Sequence, residues 1–336
     1  MTSSLNVLIV NGVVSQPLSD TPPISLFLQN HSGAYTTSRT HDDASSLLFW
    51  DRHMLRLANS ANILLKNSPN LFGASTSTSI SDSLIRPRLE DCLREGFPIV
   101  LKDRERIGIR EFVVTAFISA NLGSSCGFDS YIHLGSYQPA AESGARLALV
   151  GHGREFAEAK HSEWVRRRKY LEKLRPPWAT ELLLSNDGDQ ILEGSVTNFF
   201  VVCRGREYVG TPDDSSSGYP FEVQTAPLRD GILPGVIRQL IIEVCSRKGI
   251  PFREVAPSWS DRSRWQEAFI SNGLRLVQPV ELIQAPISWE GLQSKTWKEL
   301  SWEEKRFEGS QLITREIQRT IMELANTEGY PIRNFL

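Results

Sequence analysis

Residues 182–202, LLLSNDGDQILEGSVTNFFVV, set two apolar runs on either side of Asn186-Asp187-Gly188-Asp189, a tetrapeptide with strong turn chemistry. The pattern predicts a hairpin of two buried strands. It also places one acid, Glu193, at the edge of that core, where the second run begins. A carboxylate in such a place costs free energy unless a cation or hydrogen-bond donors face it. Any fold of this chain has to bring such a partner to Glu193.

With 336 residues, 40% of them hydrophobic and 23% charged, the chain has the size and composition for two ordinary globular domains. Its formal net charge of -2 gives no bulk attraction to nucleic acid or to an anionic membrane, so neither is expected as a partner. The run Arg166-Arg167-Arg168-Lys169 reads as a solvated helix face. Cys92, Cys126, Cys203 and Cys245 lie far apart, with no CxxC pair and no histidine in metal-ligand spacing, so neither a metal site nor a disulfide framework is expected. The stretch MTSSLNVLIVNGVV lacks a basic region, and its apolar part is too short for a signal peptide or a membrane span. It predicts a β-strand ending at Asn11-Gly12, and the expected location is cytoplasmic.

Strand-like VLIV, GAYTTSRT, EFVVTAFI and YIHLG alternate with LLFWDRHMLRLANSANILL, whose apolar residues recur at helical spacing, which predicts an α+β domain over residues 1–138. Small and polar QPAAESGAR supplies a linker at 139–146, and a second domain follows over 147–336. There a helix is expected from Lys160 to Leu174, stopped by Pro176-Pro177. After the hairpin, RGREYVGTPDDSSSGYPFE reads as a surface loop. LPGVIRQLIIEVCSRKG then reads as a helix with Pro234 and Gly235 in its first turn and Gly249 just past its end. Its amino end is a ready anion site.

Glu193 opens E-G-S-V-T-N-F-F; with Thr225 and L-P-G-V-I-R from Leu233 to Arg238, this resembles the signature of the class IV, or fold-type IV, pyridoxal-phosphate enzymes. These comprise branched-chain aminotransferases, D-amino-acid transaminases and aminodeoxychorismate lyases. The resemblance implies a two-domain α+β fold of the D-amino-acid aminotransferase type, with pyridoxal 5'-phosphate between the domains and assembly as a homodimer. It also implies that Glu193 faces the pyridine nitrogen of the cofactor, which would be the missing cation. Opposite charges about 4 Å apart at an effective dielectric near 20 attract by roughly 4 kcal/mol, enough to hold that nitrogen protonated. Between Phe200 and Val223 the chain is longer than the usual family spacing, which reads as a loop insertion.

The cofactor aldehyde needs an amine, and the chain has nine lysines against 28 arginines. Lys160 lies 33 residues before Glu193, a spacing similar to the family's, and A-K-H-S-E-W resembles the K-H-x-N-R of the lyases. The implied role is covalent attachment of the cofactor, then proton transfer at the substrate α-carbon. His53-x-x-Arg56-Leu57 resembles H-x-x-R-L, in which the arginine grips the phosphate. Backbone N–H groups of Gly235, Val236 and Ile237 would bind the same phosphate. Ile237 stands where transaminases commonly have threonine. Asn198, Asn272 and Gly273 complete the implied cofactor set.

Gly33 to Arg39 is similar to the G-x-F-T-T-A-R of aminodeoxychorismate lyases, and Ser271 to Arg275 resembles their N-[SA]-L-R turn. The expectation is therefore lyase-type β-elimination on an amino-acid-like substrate, with Tyr35, Thr37 and Leu274 at the substrate. The alternatives are a transaminase of branched-chain or D-amino acids and a cofactor-binding protein without turnover. The Arg-x-His pair by which D-amino-acid transaminases hold the substrate carboxylate is absent from VTAFISANLGSSCGFDSYIHLGSYQ, leaving Arg39 and His133 as candidate donors.

Overall fold

The computed structural model describes residues 5–15, 21–67, 79–121, 123–124, 126–139, 143–204 and 220–336. Residues 205–219 of the expected surface loop and 140–142 of the expected linker lie outside them. The chain forms two compact units, the first comprising 1–139, 158–167 and 324–336 and the second 140–157 and 168–323. The part expected as one domain, 147–336, is therefore shared, and the segment with Lys160 belongs to the first unit.

The first unit is built on an antiparallel sheet in the order β16-β4-β3-β5-β6-β1-β2, with elements numbered along the chain. Its strands are β1 (Asn6–Val10), β2 (Val13–Val14), β3 (Ala34–His41), β4 (Ser46–Leu47), β5 (Glu111–Ala120), β6 (Phe128–Tyr137) and β16 (Tyr330–Pro331). The four segments with strand-like sequence form β1, β3, β5 and β6. Helix α2 (Trp50–Asn67) buries Trp50, Met54, Leu57, Ala61 and Leu64 along one face, as the spacing predicts. That same face also buries two polar residues, His53 and Ser60. Helix α3 (Asp82–Ile107) adds Leu89, Leu93 and Phe97 to the same core, although Pro87 and Pro98 interrupt its helical sequence. On a smaller scale, α1 (Ile24–Asn30) and α4 (Glu163–Arg167) join Phe27, Val165, Tyr35 and Phe117 in a second cluster.

The helix expected over 160–174 starts later, with α4 followed by a 3-10 helix from Arg168 to Leu174 that ends before Pro176. Lys160 precedes both. Backbone pairing with the start of β3 explains the difference. Tyr35 N–H donates to the Lys160 carbonyl at 3.0 Å, Ser162 N–H donates to the Gly33 carbonyl at 3.0 Å, and Ala34 bridges His161. A segment whose backbone groups are used laterally cannot use them along a helix. Gly33 itself lies tight against β5, where a Cβ would fall 2.2 Å from the Ile118 carbonyl oxygen.

The second unit contains β7 (Ala145–Gly151), β8 (Glu181–Ser185), β9 (Ile191–Gly194), β10 (Asn198–Arg204), β11 (Phe221–Thr225), β12 (Phe252–Glu254), β13 (Trp265–Asn272), β14 (Leu276–Pro286) and β15 (Trp302–Arg306). Their order is β12-β11-β10-β13-β14-β7-β8-β9, with β15 on β14. A further pairing of β9 with β10 closes six of these strands into a ring. Helix α5 (Val236–Lys248) runs from Gly235 to a left-handed Gly249, and α6 (Leu312–Thr327) has its first turn capped by Glu267. The expected two-strand hairpin is in fact three strands. Glu193 lies on the short middle strand β9 at 3% exposure, and the second apolar run starts only after the 195–197 turn.

Candidate active site

In the second unit, the register sets Leu184, Glu193, Asn198, Ser271 and Val277 side by side across β8, β9, β10, β13 and β14. Glu193 Oε1 accepts from Arg154 Nε at 2.8 Å. Its Oε2 accepts from the Leu233 backbone N–H at 3.0 Å and from Asn198 Nδ2 at 3.4 Å. The partner that the sequence demands is thus present inside the fold, a guanidinium and two neutral donors. Three donors thus meet one buried carboxylate.

Asn198 also donates to the Leu233 carbonyl at 2.9 Å, which ties the start of β10 to the loop entering α5. Gly235 caps that helix and brings no side-chain cap to it. A Cβ at Gly235 would fall 2.1 Å from Asn198 Oδ1, so only glycine lets the backbone lie this close to the acid's neighbour. Arg238, one turn into α5, is buried and donates to the Ala226 carbonyl at 2.9 Å. The turn after β13 begins beside Asn198. Asn272 Oδ1 accepts from the N–H groups of Leu274 and Arg275, shaping that turn around Gly273.

In the first unit, Lys160 Nζ lies 4.6 Å from the centre of the Tyr35 ring, and its backbone N–H donates to Ser60 Oγ at 3.0 Å. Alternation along β3 turns Tyr35 and Thr37 to one face and Thr36 to the other, where α2 packs. Thr36 Oγ1 meets His53 Nδ1 at 2.7 Å and Arg56 Nη2 at 2.6 Å. Burial, and next the charges of Arg56 and Lys160, push the His53 imidazole well below its ordinary value, so the ring is neutral. Thr37 Oγ1 lies 3.2 Å from Thr115 Oγ1.

Of the two candidate carboxylate donors, His133 has its Nε2 engaged with the Pro22 carbonyl at 3.0 Å, and burial lowers its pKa. Arg39 stands over the Tyr137 ring at 5.0 Å and donates to the Thr40 carbonyl at 3.0 Å. The sequence reading missed Arg154. Its only sequence mark is one arginine in a glycine-containing stretch, G-H-G-R-E-F, with no motif around it.

The residues suit a phosphorylated pyridine. Taken by itself, the second unit has a buried carboxylate that could face a ring nitrogen and a glycine-entered helix start whose close backbone approach a Cβ would block; taken by itself, the first has an amine at Lys160 and a guanidinium at Arg56.

A family model described as "Amino-transferase class IV" matches residues 33–283. Among solved structures, the chain is similar to a branched-chain aminotransferase from Thermoproteus uzoniensis, solved with norvaline, at 17% identity and a TM-score of 0.63, covering 98% of this chain and 100% of that one. It is similar to the branched-chain amino acid aminotransferase from Escherichia coli at 17% identity and a TM-score of 0.62, over 96% and 95% of the two chains. A branched-chain amino acid aminotransferase from T.th., solved with pyridoxamine 5'-phosphate, gives 14% identity and a TM-score of 0.61, again over 96% and 95%. These likenesses establish the α+β two-domain fold. No curated protein matches the chain in sequence.

Proposed function

The chain belongs to the class IV aminotransferase family and is a pyridoxal-phosphate-dependent enzyme, and we propose that within this family it acts as a lyase on an amino-acid-like substrate. The observation that carries the assignment of the site is Glu193, a buried carboxylate held by Arg154, Leu233 N–H and Asn198. Such an acid would hold a proton on a ring nitrogen. Bound pyridoxal phosphate supplies an electron sink for the electrons left at the substrate α-carbon when its proton departs.

In this reading Lys160 would hold the cofactor, and its amine would take the proton from the substrate α-carbon. The N–H groups at Gly235, Val236 and Ile237 would bind phosphate in the second unit, and Arg56 is the guanidinium of the first that would do so. Tyr35, under Lys160, limits where the amine can swing. Thr37 and Leu274 border the substrate. The lyase assignment itself is supported by the stretches 33–39 and 271–275. Transamination is the second reading, favoured by the names of the fold neighbours. Assembly as a homodimer is part of the proposal and is read directly from the mass in solution. The four cysteines are free thiols, which supports a reducing compartment, the cytoplasm in this reading.

The test is turnover with and without an acceptor. A lyase given aminodeoxychorismate releases pyruvate repeatedly with no keto acid present, whereas a transaminase stops after one half-reaction until 2-oxoglutarate or pyruvate arrives. We expect acceptor-independent release. Conversion of the cofactor to its amine form, relieved by added keto acid, would overturn the lyase assignment.

A further inference from the structure

We propose that Thr36 and His53 form a relay that positions Arg56 for phosphate, an inference that rests on the role given to Arg56 above. Donor and acceptor bookkeeping fixes its direction. Arg56 Nη2 can only donate, and it lies 2.6 Å from Thr36 Oγ1 and 3.4 Å from His53 Nδ1. A ring nitrogen facing a guanidinium N–H must present its lone pair, so Nδ1 carries no proton. The Thr36 hydroxyl accepts from Arg56, and its one proton then points to Nδ1 at 2.7 Å. His53 is therefore the neutral Nε2–H tautomer.

The surroundings agree. Thr36 is 0% exposed and His53 1% exposed, and Nε2 has no hydrogen-bond partner among the described residues. Thr36 is fixed within β3 by its pairing with Ala116, and His53 and Arg56 sit three residues apart on one face of α2. One corner of the guanidinium is thus held by a strand and a helix before any phosphate arrives. Less side-chain freedom then remains to be lost on binding. His53 and Thr36 act through Arg56 and are positioning residues.

The test compares pyridoxal 5'-phosphate with pyridoxal, which has the aldehyde and ring but no phosphate, using quenching of tryptophan fluorescence in the full chain freed of cofactor. Loss of a hydrogen bond to a charged group predicts that Thr36→Val weakens the phosphorylated ligand about tenfold and leaves pyridoxal unchanged. Thr36→Ser restores the affinity, and Thr36→Val adds no further loss once Arg56→Ala is present. If Arg56→Ala lowers the phosphate preference and Thr36→Val does not, the relay alone fails. If Arg56→Ala keeps the preference, the role of Arg56 fails and the relay with it. Nitrogen-15 spectra of labelled histidine, assigned with the Thr36→Ser protein as reference, should show Nδ1 of His53 without a proton near pH 7. A proton on Nδ1 overturns the relay whether or not the valine variant folds.

Discussion

Arg154 Nε stands 2.8 Å from Glu193 Oε1, with the two side chains 5% and 4% exposed. Removing one member of such a pair strands the other charge in the core, at a cost of about 3–5 kcal/mol. Arg154→Met should lower the unfolding free energy by about that amount in chemical denaturation. Arg154→Met combined with Glu193→Leu should recover most of the loss, because no charge is left buried. A double variant as unstable as the single one would show that Arg154 matters through packing alone.

At Glu193 itself, Glu193→Gln keeps the shape and removes the charge. Cofactor should still bind, while turnover falls by orders of magnitude, given that about 1.4 kcal/mol of lost stabilisation is already tenfold. Steady-state kinetics of the cofactor-loaded variant decides the matter, and unchanged turnover would make Glu193 a structural acid.

Purified protein should carry a yellow, covalently bound chromophore, since Lys160 is the amine placed beside Tyr35. Borohydride reduction followed by peptide mapping should find the adduct on Lys160. Recovery on Lys169 or Lys173 would refute the placement.

His53 and His133 are both buried with their pKa pushed below the ordinary 6.5. In the unfolded chain each takes up a proton near 6.5, and in the folded chain only at lower pH, so below 6.5 the unfolded state binds more protons. Stability is therefore unaffected above that pH and falls as pH drops below it, by up to about 1.4 kcal/mol per pH unit for each group until the folded ring titrates. Urea midpoints at about pH 7.5 and about pH 5.5 should differ in that direction, and by less in His133→Gln. An equal drop in that variant would assign the loss to other groups.

Much of this was legible in the sequence where local rules act alone. The runs that became β1, β3, β5 and β6 and the glycines around α5 needed only alternation, periodicity and capping. Glu193 stood out because an acid amid apolar residues breaks a local rule. Arg154 did not, because a guanidinium in a polar loop breaks none, and its burial follows from pairings distant in sequence. Lys160 was expected on a helix for the same reason: lateral bonds to β3 outweigh a helical pattern starting three residues later. The helix over 82–107 was hidden by Pro87 and Pro98, whose local cost is met by packing of Leu89, Leu93 and Phe97.

The pairing of Leu47 with Tyr330 bears on how the protein is made. At ribosomal speeds of about 5–20 residues per second, roughly 15 to 60 seconds separate synthesis of β4 from synthesis of the strand that covers it. Throughout that interval β4 offers open backbone groups to any other extended chain. The first unit, begun first, is therefore finished last, and its nascent form should be a substrate for chaperones that shield strand edges.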